Sequence, residues 1–134
     1  MSIKMIATDL DGALLRNDST MSNYTKSVLE KCRSKGIKIV PATARSSIMV
    51  ILHKEAMKSK GLVALADYWG IRSCKIVAFG DDTIDIDLLE YCDVGVAVSN
   101  ALDEVKAVAD YVCGGNDDEG VAKWLEMQKA TEVN

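Results

Sequence analysis

The chain is short of the residues that build most metal centres and covalent staples: it has one proline, one histidine and one phenylalanine, and 5% of its 134 residues are aromatic. With His53 as the sole imidazole, zinc sites that combine several His and Cys ligands at short spacing are excluded. Cys32, Cys74, Cys92 and Cys113 are the four cysteines, and no two form a CxxC pair. Thiols this dispersed are read as small buried apolar residues rather than as metal or redox groups. No apolar run approaches the ~18 residues of a membrane-spanning helix, and the N-terminus lacks the charged-apolar-small order of a secretion signal. Basic charge is also scarce, with 16 Lys and Arg against 20 Asp and Glu for a net −4. Neither nucleic acid nor an anionic membrane surface is therefore expected as the main partner. The expected location is the cytoplasm. An apolar fraction of 49% with so little proline excludes disorder. The length fits one domain, residues 1–134, with its own core.

What the chain does contain is alternation. Short apolar runs rich in β-branched residues alternate with amphipathic stretches, the pattern of a parallel sheet covered on both faces. Strands are expected at Ile3–Thr8, Ile37–Ala42, Lys75–Phe79 and Val94–Val98, with a short edge strand at Tyr111–Cys113. Helices are expected over Ser22–Ser34, Ser46–Met57, Leu62–Trp69, Thr83–Tyr91, Leu102–Ala109 and Asp118–Met127. Ser22 or Asn23 caps the first helix and Gly36 stops it. Pro41 sits near the end of its strand, where a missing N–H costs least. The fold class is α/β, a three-layer doubly wound parallel sheet. Trp69, Trp124, Phe79 and the methionines are read as packing residues, His53 as a surface helix residue, and Asp117, Asp118 and Glu119 as caps of the last helix.

The polar residues are placed unevenly. Asp9 and Asp11 follow the first strand, Thr43 the second, and Asp81, Asp82 and Asp85 the third. All strand C-termini of an open parallel sheet lie on one edge, where ligands bind. Two carboxylates ~4 Å apart repel by roughly 4 kcal/mol at an effective dielectric of 20. A hard divalent cation removes that penalty, and oxygen ligands without His or Cys point to Mg2+. A carboxylate beside such an ion can attack phosphorus and form an aspartyl-phosphate. A lone aspartate after a strand would be a turn former or helix cap. Three clusters meeting on one edge read as a site.

Four stretches carry a resemblance. "MIATDLDGALL" (Met5–Leu15), "PATAR" (Pro41–Arg45), "SKGLVALADYWGI" (Ser59–Ile71) and "FGDDTIDIDLLEYCDVGVAVSNA" (Phe79–Ala101) resemble, in order, the four motifs of the haloacid dehalogenase superfamily of phosphohydrolases. Their wording is most similar to the Cof-like sugar-phosphate phosphatases. The resemblance implies Asp9 as nucleophile and metal ligand. It implies Asp11 as the general acid and then base, with its backbone carbonyl on the metal. Thr43 and Ala44 would contact the phosphoryl group, Lys60 would neutralise it, and Asp81 would bind Mg2+ with Asp85 in support. The implied substrate is a small phosphorylated metabolite such as a sugar phosphate.

The chain departs from the family's pattern at Ala13, where Thr or Val is usual, at Ala44 in place of glycine, and at Ile84 in place of a phosphate-contacting asparagine. Losing one hydrogen bond to a charged group costs roughly 1.5–3 kcal/mol, about ten- to a hundredfold in rate. Cof-like relatives also insert a cap domain between the second and third motifs, whereas Ser46–Ser59 leaves only 14 residues here. An open crevice follows, roofed by another subunit of a homo-oligomer or covered by a large substrate. Two other classes of function were weighed. A catalytically weak or inactive phosphate-binding module would explain Ala13, Ile84 and the short connection. A receiver-type signalling domain would place its Lys after its acidic loop, the reverse of the order seen here.

Overall fold

The structure, a computed structural model, describes residues 2–42 and 58–128. Three largely buried central strands and two more exposed edge strands form the sheet: β1 (Met5–Thr8), β2 (Lys38–Pro41), β3 (Ile76–Gly80), β4 (Val94–Val98) and β5 (Tyr111–Cys113), with β2 and β5 at the edges. Every pairing is parallel, and the strand order is β2-β1-β3-β4-β5. β1 and β3 are buried along their whole length, as expected of strands covered on both faces. Thr8 pairs with Pro41 on one side and with Phe79 on the other, so the C-terminal ends of the three strands are level. The chain leaves β1 for β2 on one side and then returns to β3 on the other. That reversal opens a crevice beyond the end of β1.

Among the described residues, five helices cover the sheet. α1 (Asn23–Ser34) and α5 (Gly120–Met127) pack together on one face, and α2 (Lys58–Trp69), α3 (Ile86–Tyr91) and α4 (Asp103–Val108) form the other layer. The three expected layers are therefore present. Ser22 caps α1 by accepting a hydrogen bond from the Thr25 N–H, and Gly36 follows the helix at φ +86°. Val28 and Cys32 of α1, and Val121, Ala122 and Leu125 of α5, are buried in the core. Phe79 meets the Trp124 ring edge-on at 5.5 Å between centroids, a favoured aromatic geometry.

Several expectations are corrected. Trp69 and Met127 are 38% and 75% exposed, because both stand at helix ends beyond the sheet's cover. Cys74 is exposed in the turn before β3, while the other three thiols are buried. Glu119 holds the N-cap position of α5 but its side chain makes no cap hydrogen bond, and Asp117 lies ahead of the helix. Asp117 accepts hydrogen bonds from the Asn17 N–H and Nδ2 at 2.8 and 2.7 Å. Glu119 pairs with Arg16 at 3.0 Å. The expected helix at Ser46–Met57 lies outside the described residues, and α2 begins earlier than Leu62, at Lys58. No helix among the described residues is long and apolar enough to cross a membrane.

Candidate active site

The loop that leaves β1 is built to turn sharply over the strand ends. Asp9 keeps an extended backbone, and its N–H bonds the Phe79 carbonyl at 3.1 Å, so it continues the ladder with β3. Its Oδ1 accepts from the Leu10 N–H at 3.0 Å, which fixes the orientation of the carboxylate. Asp11 (φ −71°, ψ 127°) and Gly12 (φ 82°, ψ −7°) take the two central positions of a type II turn, the second of which demands glycine. The turn is closed by Leu14 N–H to Asp9 O at 3.2 Å and Leu15 N–H to Leu10 O at 2.8 Å.

The loop that leaves β3 is organised by Asp85, which is fully buried. Its Oδ2 accepts from the Asp81 and Asp82 N–H groups at 3.1 and 3.2 Å. Asp82 in turn accepts from the Thr83 N–H at 2.6 Å, completing a capping box ahead of α3. Two glycines let these loops close in. A Cβ on Gly12 would overlap Asp81 Oδ2, and a Cβ on Gly80 would lie 2.6 Å from the Asp85 Cβ.

One carboxylate oxygen from each of Asp9, Asp81 and Asp85 lies within 4.8 Å of the other two. An octahedral magnesium with bonds of about 2.1 Å holds its ligands roughly 3 to 4 Å apart. The three oxygens are within a small adjustment of that size, and an all-carboxylate set matches the ion's preference for hard donors. The residues present therefore fit a divalent cation. Asp11 is exposed, whereas Asp9 is buried. Lys60 lies in the first turn of α2. Thr43 and Ala44 fall outside the described residues. Ala13 is buried at 1% exposure, and Ile84 is 45% exposed beside the Asp82 cap.

Sequence reading missed the brace behind the turn. Asn100, which follows β4, donates through Nδ2 to the Gly12 carbonyl at 2.8 Å and accepts from the Asn116 N–H at 3.0 Å. Asn116, buried at 4% exposure, donates through Nδ2 to the Leu15 carbonyl and to Asn17 Oδ1, both at 2.9 Å. The partners that join these asparagines to the loop after β1 lie 88 to 101 positions away, a separation that no local motif reveals.

Comparison with known proteins decides the family. The sequence profile of the haloacid dehalogenase-like hydrolases matches residues 6–51 and 46–125. The chain belongs to this family. A 5-amino-6-(5-phospho-D-ribitylamino)uracil phosphatase of Bacillus subtilis is 35% identical over 79 residues, covering 59% of this chain and 29% of that protein. The chain thus spans about a third of the length of the curated relatives it matches. A haloacid dehalogenase-like hydrolase from Bacteroides thetaiotaomicron superposes with a TM-score of 0.86 at 15% identity, covering 95% of this chain and 100% of that one. The 3-deoxy-D-manno-octulosonate 8-phosphate phosphatase of Moraxella catarrhalis, solved with a magnesium ion, a phosphate ion and a KDO molecule, superposes with a TM-score of 0.77. It is 26% identical and covers 96% of this chain and 87% of that one. The α/β sheet, its order and its helical layers are those of the family.

Proposed function

We propose that this chain is a magnesium-dependent phosphatase of small phosphorylated metabolites, sugar phosphates or similar monoesters. The observation that carries the reading is the convergence of Asp9, Asp81 and Asp85 on one small volume at the end of the central strands, with Asp11 in the loop that leaves β1. Asp9, Asp81 and Asp85 would hold the ion, which when bound supplies positive charge to a phosphoryl oxygen. Asp9 attacks phosphorus, and the bond from phosphorus to the ester oxygen breaks. Asp11 gives its proton to the departing oxygen, so that an alcohol and phospho-Asp9 result. Asp11, now ionised, takes a proton from water as that water attacks the phosphorus, and phosphate leaves with Asp9 restored. Lys60, Thr43 and Ala44 are assigned to the phosphoryl oxygens on their motif positions.

The relatives named above support the substrate class, since each named substrate is a small phosphorylated molecule. The chain is read as one hydrolase core without a cap insertion. Only residues 42–57 separate β2 from α2, too few to fold as a domain below roughly 40 residues. An open crevice follows, and a second copy of the chain or a bulky substrate would complete its roof. Release of phosphate from p-nitrophenyl phosphate, lost with EDTA and with Asp9→Asn, tests the activity. Magnesium-replete protein that turns over no member of a phosphomonoester panel would overturn it.

A second reading, a phosphate-binding module with little turnover, is favoured by Ile84. Its apolar side chain is exposed in the loop after β3, where a hydrogen-bond donor would serve the substrate. Calorimetric binding of magnesium and phosphate without turnover would select this reading.

A further inference from the structure

The opposite edge of the sheet carries a second concentration of charge, of the other sign. Lys38, Lys4 and Lys75 stand side by side at the N-terminal ends of β2, β1 and β3. Lys38 N–H bonds the Lys4 carbonyl at 3.0 Å, and Lys4 N–H bonds the Lys75 carbonyl at 2.8 Å. Lys38 is level with Met5, one position beyond Lys4, so the three lysines are staggered around the strand ends rather than directly opposed. Arg72 and the exposed indole of Trp69 complete an open groove of about 490 Å³ lined by these residues. The Lys38 ammonium lies 5.2 Å from the Trp69 ring centroid, which holds the side chain against the groove wall. Among the described residues, none of the four groove cations forms an ion pair with a carboxylate, although the chain as a whole carries −4.

We propose that this groove is a second binding site, for a small molecule carrying several phosphates, distinct from the carboxylate crevice at the other edge. Four cations around a cleft of this volume match a di- or triphosphate group, and small-ligand sites typically measure roughly 300 to 1,000 Å³. Trp69 provides an apolar wall that a nucleoside could use, whereas inorganic triphosphate would need only the cations. The site asks for no divalent ion, unlike the crevice.

Trp69 makes the site observable, because Trp124, the second of the two tryptophans, is buried in the core. The experiment titrates the whole chain with sodium triphosphate and, separately, with ATP, in EDTA and low salt, following tryptophan fluorescence and calorimetric heat. Saturable binding is expected with at least one probe. It should weaken at least tenfold in Lys38→Glu/Arg72→Glu and by less than threefold in Lys26→Glu/Lys123→Glu, which changes net charge equally at residues outside the groove. Trp69→Phe should abolish the fluorescence response and retain the heat. Tighter binding of ATP than of triphosphate would name a nucleotide as the ligand, and equal binding a simple polyphosphate. Absence of saturation by either probe at millimolar concentration would overturn the proposal. So would equal weakening by both charge-reversal pairs, or saturable binding of an oligothymidylate where both small probes fail.

Discussion

Gly12→Ala separates a backbone effect from a site effect. Gly12 sits at φ +82°, where an alanine is strained, and the added methyl would overlap Asp81 Oδ2. The left-handed conformation costs roughly 1–2 kcal/mol for a residue with a Cβ. The overlap adds to this, and the turn or Asp81 must move to relieve it. Gly36 provides the control. It has φ +86° but no atom within 4 Å of its ideal Cβ, so Gly36→Ala carries the conformational cost alone. Urea unfolding should show both variants destabilised by about 1–2 kcal/mol, with Gly12→Ala the worse. The two must diverge when magnesium is added. A ligand at a hundredfold excess over its Kd stabilises a protein by about 2.7 kcal/mol. Gly36→Ala should keep that gain and Gly12→Ala should lose most of it, since Asp81 can no longer hold its place. If Gly12→Ala gains as much from magnesium as the unmodified chain, the packing argument for the crevice is wrong.

Other consequences are as direct. Asn116→Ala removes the donor that satisfies the Leu15 carbonyl and Asn17 Oδ1. It should cost about 1–3 kcal/mol in urea unfolding, and a loss under 0.5 kcal/mol would show that the brace is unimportant. An aromatic disulfide reagent at pH 8 should modify Cys74 quickly and reach the buried Cys32, Cys92 and Cys113 only on unfolding. Burial pushes the Cys92 thiol up to about 12 and the Cys113 thiol up to about 11, and raises that of Cys32. Thiols ionise first in the unfolded chain, so their contribution is complete below about pH 8.5 and is lost as the pH rises through the folded values. A denaturation series from pH 8 to 10.5 should show falling stability, with the fall reduced in Cys92→Ala relative to its own value at pH 8.

The parallel sheet and its layers were legible because burial on both faces leaves nearly continuous apolar runs, and Val94–Val98 and Tyr111–Cys113 were placed to the residue. Boundaries slipped where a helix opens through a tighter turn, as at Thr83–Asp85 ahead of α3. The acidic residues of the crevice were visible because each follows a strand directly. The grouping was less so. The family resemblance assigns Asp85 a supporting role, yet its buried carboxylate both organises the loop and stands in the cluster with Asp9 and Asp81. Asn100 and Asn116 were illegible because their hydrogen bonds join loops at opposite ends of the chain. Asp117 and Glu119 carried a local signal, helix capping, that the long-range partners Asn17 and Arg16 overrode.

The account rests on an ion held among Asp9, Asp81 and Asp85, and calorimetric titration with magnesium measures that directly. The unmodified chain should bind one ion, Asp81→Asn should bind at least tenfold more weakly, and Asp103→Asn, on the first turn of α4, should match the unmodified chain. Unchanged magnesium affinity in Asp81→Asn, in protein that remains folded, would contradict it.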